Sequence, residues 1–274
     1  MERGLVNSFS VLPFVDAWHG ALLKSLIARH PEVRVGAHLS FLDPHTAASA
    51  GSDAGTPGPP GLQWPPKPQG LPGLKEHPGH FRDFLALYLK GRYPPARIYR
   101  EWKTQILSLA EYLGGPERIA HLDSHQHLHV LPGIWPVAVA LQEEFGIPRL
   151  RVPHESLRRA LFHKFPFGAG FQALAALRAH AARGRKGPGD RRRLLGFLTS
   201  TCFTVEANRA ALEAVLANPD TEYELMVHPA LPPDPDARDP GDPPEWMVQP
   251  GQVREVAELE RLRGFFRDRL AAPT

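Results

Sequence analysis

The sequence holds a single cysteine, Cys202, in 274 residues. That scarcity excludes an intramolecular disulfide and a zinc site built on several thiolates, and it suits a reducing compartment. A bound metal would have to rest on histidine and carboxylate. No apolar run approaches the roughly 18 residues of a membrane-spanning helix, and the N-terminus has no basic stretch leading into an apolar segment and cleavage site. A cytoplasmic protein is expected. The chain also lacks a nucleic-acid motif or aromatics interleaved with basic residues. This matters because its charge is uneven. The net charge is only +3, yet residues 158–193 carry ten Lys or Arg against one acid, Asp190. Such a stretch is a candidate surface for nucleic acid, anionic lipid or an acidic partner. Without the motifs it reads better as a solvated loop-and-helix excursion, and no nucleic-acid partner is expected.

Histidine, by contrast, is concentrated. Three of the fourteen fall within seven residues of the run Asp123-Ser124-His125-Gln126-His127-Leu128-His129, beside a carboxylate. In an extended strand alternate residues share a face, so Asp123, His125, His127 and His129 would all project to one side. The flanking Ile119-Ala120-His121-Leu122 and Leu131-Pro132-Gly133 favour a strand ending near the cluster. Imidazole is a common transition-metal ligand, and a carboxylate behind it commonly orients the ring. The cluster therefore points to a metal site, with a solvated histidine-rich turn as the alternative.

Periodicity divides the chain into alternating strands and helices. Strands are expected at residues 8–14, 33–40, 119–124, 150–153, 194–200 and 222–227. Helices are expected at 17–29, 81–90, 96–113, 135–145, 205–217 and 252–270. This alternation predicts a mainly parallel sheet covered by helices, as an open doubly wound sheet or a barrel. In both architectures function collects at the carboxyl ends of the strands, where His38, the histidine cluster, Arg151 and His228 fall. The chain is read as a single domain over residues 1–274 with two breaker-rich insertions. Residues 43–80 hold nine Pro and seven Gly, and residues 231–250 hold seven Pro and four Asp. Both are expected to be lids or disordered insertions, the longer one disordered, and their Trp64 and Trp246 are candidates to stack on a sugar.

The run His121-Leu122-Asp123-Ser124-His125-Gln126-His127-Leu128-His129 with Leu131-Pro132 closely resembles the signature of the YdjC/ChbG-like carbohydrate deacetylases. Gly36-Ala37-His38-Leu39 and Glu224-Leu225-Met226-Val227-His228-Pro229 resemble two further motifs of that family, in the same order and spacing. The resemblance implies an irregular (βα) barrel, TIM-barrel-like and of the NodB/YdjC type. It also implies a divalent metal, Mg or Zn, and hydrolysis of the acetamide of N-acetylated sugars such as chitin-derived oligosaccharides or an N-acetylated glycolipid. By the same resemblance His38 and His125 match the two metal-binding histidines. The family's remaining ligand and its proton acceptor belong to an Asp-Asp-Phe-Gly motif on the first strand, which this chain does not contain. That strand is expected to lie upstream of Met1.

The chemistry assigns roles to the residues that are present. His228 is a candidate acid or oxyanion donor. Asp123 is either a substitute base or the group that orients a ligand histidine. Arg151 contacts substrate oxygens or forms a strand-end salt bridge, while His127 and His129 line the pocket or serve the structure. Asp43 is a loose candidate for a third ligand. The expected partner is an N-acetylated carbohydrate, and a homodimer is admitted. The competing readings are an inactive, truncated homologue acting as a carbohydrate-binding or regulatory module, and an amidohydrolase of another small acetylated amine.

Overall fold

The computed structural model describes residues 5–12, 17–41, 81–155, 168–183, 192–199, 203–229 and 250–270. Both breaker-rich insertions, with Asp43, Trp64 and Trp246, lie outside these residues, as does Cys202. The chain divides into two compact units, Val6–Arg151 and Val152–Thr274 with Met1–Leu5.

In the first unit β1 (Ser8–Val11), β2 (Arg34–Leu39) and β3 (Ile119–Ser124) form a parallel sheet in that order. Its registers put Ser10 beside Gly36 and Gly36 beside His121, while His38 lies beside Asp123. β2 and β3 read as nearly continuous buried runs after Arg34, as expected of a parallel strand covered on both faces. α1 (Ala17–Arg29) connects β1 to β2. α2 (Phe81–Leu89) and α3 (Pro95–Leu113) precede β3.

The sequence of α3 explains its placement. Pro95 suits the first helical position, where its missing N–H costs nothing. Ile98, Trp102, Ile106, Leu109 and Ala110 form a buried stripe at helical spacing, and the helix ends on Gly114 at φ 89°, whose N–H reaches Ala110 O. Gln105, buried in the same stripe, pairs with the backbone just past β2. Ser40 N–H donates to Gln105 Oε1 at 2.9 Å, and Gln105 Nε2 donates to Ser40 O at 2.7 Å. Phe41 then stacks between Trp102 and Phe84, with centroids 5.0 and 5.5 Å away. The end of β2, and with it His38, is thereby anchored from below.

The expected strand at residues 150–153 is reduced to one bridge, Leu150 against Leu122. Arg151 N–H donates to Leu122 O at 2.8 Å, which seats Arg151 beside β3. α4 (Trp135–Glu144) follows the histidine cluster.

In the second unit α5 (Gly168–Arg183) occupies part of the basic stretch. β4 (Arg193–Leu195) and β5 (Tyr223–Leu225) pair in parallel, with α6 (Val205–Leu216) between them in the chain and α7 (Pro250–Leu270) at the end. β4 is shorter than expected because Gly196 turns to φ 90° beside Met226 O, where a side chain would collide. Phe203, Val205, Leu212 and Phe265 make a buried core, with Leu225, Val227 and Leu262 packed on it. The described strands thus form two open parallel sheets, of three and two strands.

Candidate active site

Asp123 is the hub of the first sheet's carboxyl end. Its residue is only 1% exposed, and a buried carboxylate is tolerated only when its lone pairs are met. Three side chains meet them. His38 Nδ1 lies 2.8 Å from Oδ1, Ser10 Oγ donates to Oδ2 at 2.9 Å, and the Arg151 guanidinium pairs with Oδ2. Each comes from a different strand or bridge, and the parallel register brings them together.

The bond to Asp123 sets the tautomer of His38. A carboxylate accepts, so Nδ1 carries the proton and Nε2 keeps its lone pair. Burial, and then the nearby Arg151 cation, push this imidazole down to about 4. It is neutral at pH 7, as a metal ligand or acceptor must be. His125 stands against it edge to face, with ring centroids 5.6 Å apart.

The histidine run itself departs from the extended geometry that its alternation predicts. β3 stops at Ser124, and His125–Val130 is a turn of 3-10 type. Gln126 and His127 hold left-handed φ values of 49° and 56°, a strained state for residues other than glycine. The four groups therefore do not line one face. His129 returns to Ser124, whose hydroxyl accepts the His129 N–H at 2.9 Å and meets Nδ1 at 2.7 Å. Its Nε2 lies 2.6 Å from Arg151 O. A carbonyl only accepts, so Nε2–H donates and Nδ1 accepts from the serine. With both ring nitrogens engaged and no exposure, His129 braces the strand end rather than offering a face to substrate. Burial, opposed by the bond to Arg151 O, pushes its imidazole down to about 4. His127 is buried beside it, with ring centroids 6.1 Å apart. Arg151 turns its guanidinium onto Asp123, the salt-bridge arm of its two expected roles. His228 belongs to the second unit, where its N–H donates to Glu255 Oε2 at 2.6 Å.

Two participants escaped the sequence reading. His121 is fully buried, its Nε2 2.9 Å from Ser10 Oγ and 3.3 Å from Arg151 Nη2. The signal for it was present: His121 lies two residues before Asp123 on one strand, and so on the same face. Gly36 lies beside it in the register because a Cβ there would collide with the His121 ring. Ser10 carried no comparable signal.

The donor set suits a divalent ion in part. Two imidazoles on one tetrahedral ion put their centroids roughly 5 to 5.5 Å apart, close to the 5.6 Å between His38 and His125. Among the described residues, however, no group of three His, Cys, Asp or Glu side chains is placed to hold a metal ion.

The family model described as YdjC-like protein matches residues 1–264. This chain belongs to the YdjC-like family. Among the relatives of this YdjC-like chain are proteins named carbohydrate deacetylase. That of Vibrio parahaemolyticus is 28% identical over 54% of this chain and 48% of its own. Those of Mus musculus and Homo sapiens are each 31% identical, over 60% and 54% of this chain and 54% and 48% of theirs. The chain thus spans about half the length of the curated relatives it matches. A solved Enterococcus faecalis structure, described as a candidate cellobiose-phosphate cleavage protein, superposes with a TM-score of 0.54. It is 19% identical, and the match covers 98% of this chain and 85% of that one, a likeness of fold. No helix among the described residues is long and apolar enough to cross a membrane.

Proposed function

We propose that this YdjC-like chain hydrolyses the acetamide of an N-acetylated sugar, of chitooligosaccharide type or an N-acetylglucosaminyl glycolipid, releasing acetate. The observation that carries this reading is the Asp123–His38 pair, which leaves the His38 Nε2 lone pair available beside His125. The names of the relatives support the same chemistry. His38 and His125 would hold a divalent ion, magnesium or zinc, with further ligands from outside the described residues. Such an ion polarises an amide carbonyl and lowers the pKa of bound water.

The chain's own residues divide the remaining work. In the overall reaction water oxygen adds to the carbonyl carbon, the C–N bond breaks, and the departing amine takes a proton. Asp123 is committed to three donors, so its role is to orient His38, and the base must come from elsewhere. His228 is the candidate acid for the amine. Arg151 pairs its guanidinium with Asp123. An irregular barrel, a cytoplasmic setting and a homodimer accompany this reading.

A second reading, a carbohydrate-binding module without turnover, is favoured by the absence of a three-ligand cluster among the described residues. Acetate assay separates the two. Release from N-acetylglucosamine oligosaccharides that depends on added metal and vanishes in His125→Ala supports the enzyme. Saturable oligosaccharide binding with no acetate selects the module, and neither binding nor release sinks both.

A further inference from the structure

α7 carries a carboxylate that the site on the first sheet does not use. Glu255 is fully buried, and burying a carboxylate costs several kcal/mol unless its oxygens are met. Backbone amides meet them: Phe203 N–H donates to Oε1 at 3.0 Å and His228 N–H to Oε2 at 2.6 Å. The second bond is short, as charge-assisted bonds are. One turn further on, Glu258 Oε2 accepts Val205 N–H at 2.8 Å. The two glutamates share a helix face by their i,i+3 spacing. Together they tie α7 to the start of α6 and to the chain beyond β5.

The position of His228 gives the Glu255 bond its meaning. The β4–β5 ladder carries on to Met226, whose N–H donates to Leu195 O at 2.8 Å. Two residues later the chain has left the sheet, and Glu255 supplies the acceptor there. A carboxylate is the side chain suited to join two N–H groups, since both oxygens accept. A glutamine would turn its NH2 toward one of them.

We infer that Glu255 is a positioning residue for His228, fixing the main chain from which that imidazole is presented. Its consequence for turnover rests on the deacetylase reading. The positioning itself rests on the two hydrogen bonds.

The test compares the isotope-labelled full chain as wild type, Glu255→Gln and Glu258→Gln, by amide and histidine-ring NMR, alongside acetate release. Glu255→Gln is expected to shift the amide protons of Phe203 and His228 upfield and to move the His228 ring signals. Glu258→Gln is expected to shift Val205 and leave His228 in place. In turnover, Glu255→Gln lowers kcat by roughly 10- to 100-fold with KM unchanged, the signature of a misplaced group. Coincident His228 signals in wild type and Glu255→Gln overturn the inference, as does an equal displacement in Glu258→Gln. Should Glu255→Gln fail to fold, Glu255→Asp, which keeps the charge and retracts both oxygens, is read by the same criteria. A wild type that releases no acetate defeats the deacetylase reading, while the NMR comparison still decides the positioning.

Discussion

The two units use buried carboxylates in opposite ways. At the end of the first sheet Asp123 faces side chains, those of Ser10, His38 and Arg151. In the second unit Glu155 and Glu255 face backbone, accepting N–H groups of Leu198, Phe203 and His228, and Glu258 accepts Val205 N–H with one oxygen while the other pairs with Arg261 at the surface. A carboxylate set against an imidazole selects its tautomer and so its chemistry. One set against amides pins loop backbone where no ladder reaches. The same functional group thus sets an imidazole tautomer in one unit and holds loop backbone in the other.

The sharpest way to break this contrast is Asp123→Asn. It removes the carboxylate charge that faces the Arg151 guanidinium and is expected to cost about 3–5 kcal/mol, as loss of one member of a buried ion pair does. It also frees His38 to adopt either tautomer. Urea unfolding measures the first effect and ring NMR the second. A loss below about 1 kcal/mol would place Asp123 among the groups of little structural consequence.

Acid tests the same end of the sheet. His129 titrates near 4 in the folded chain and near the ordinary value of about 6.5 when unfolded. A lowered folded value means the unfolded state binds the proton first. This contribution to stability is therefore complete above pH 6.5 and is lost as pH falls toward 4. The full loss is on the order of 3 kcal/mol. Unfolding free energies across that window read it directly, and a flat profile contradicts the buried, neutral imidazole.

Smaller effects sharpen the contrast. Gly36→Ala drives a methyl group into the His121 ring and is expected to destabilise by about 1–3 kcal/mol, as overpacking does. Histidine-ring NMR should show His121 displaced. Glu258→Gln removes a charge from the start of α6 while its oxygen still reaches Val205, so a loss of about 1 kcal/mol or less is expected in thermal unfolding. A loss as large as that of Asp123→Asn would erase the difference between the two kinds of carboxylate.

Local chemistry was legible along the chain. The span of α3, the strands β2 and β3, and the motifs around His38, Asp123 and His125 all follow from residue order, because helix and strand periods are set by the backbone. Register and turning were not legible. Alternation suggested that His125, His127 and His129 share a face, but two left-handed residues turn the run and send His129 back to Ser124. Residues 150–153 read as a strand and make a single bridge, Leu150 against Leu122, which still seats Arg151 beside β3.

What the sequence by itself determined, then, is which groups are available and where strands and helices begin. The tertiary structure decided which of them meet. Ser10, Gly36 and His121 come from three separate segments and become neighbours only through the parallel register. Asp123 becomes the partner of His38 because that same register sets them side by side, out of water, where an unpaired carboxylate would not be stable.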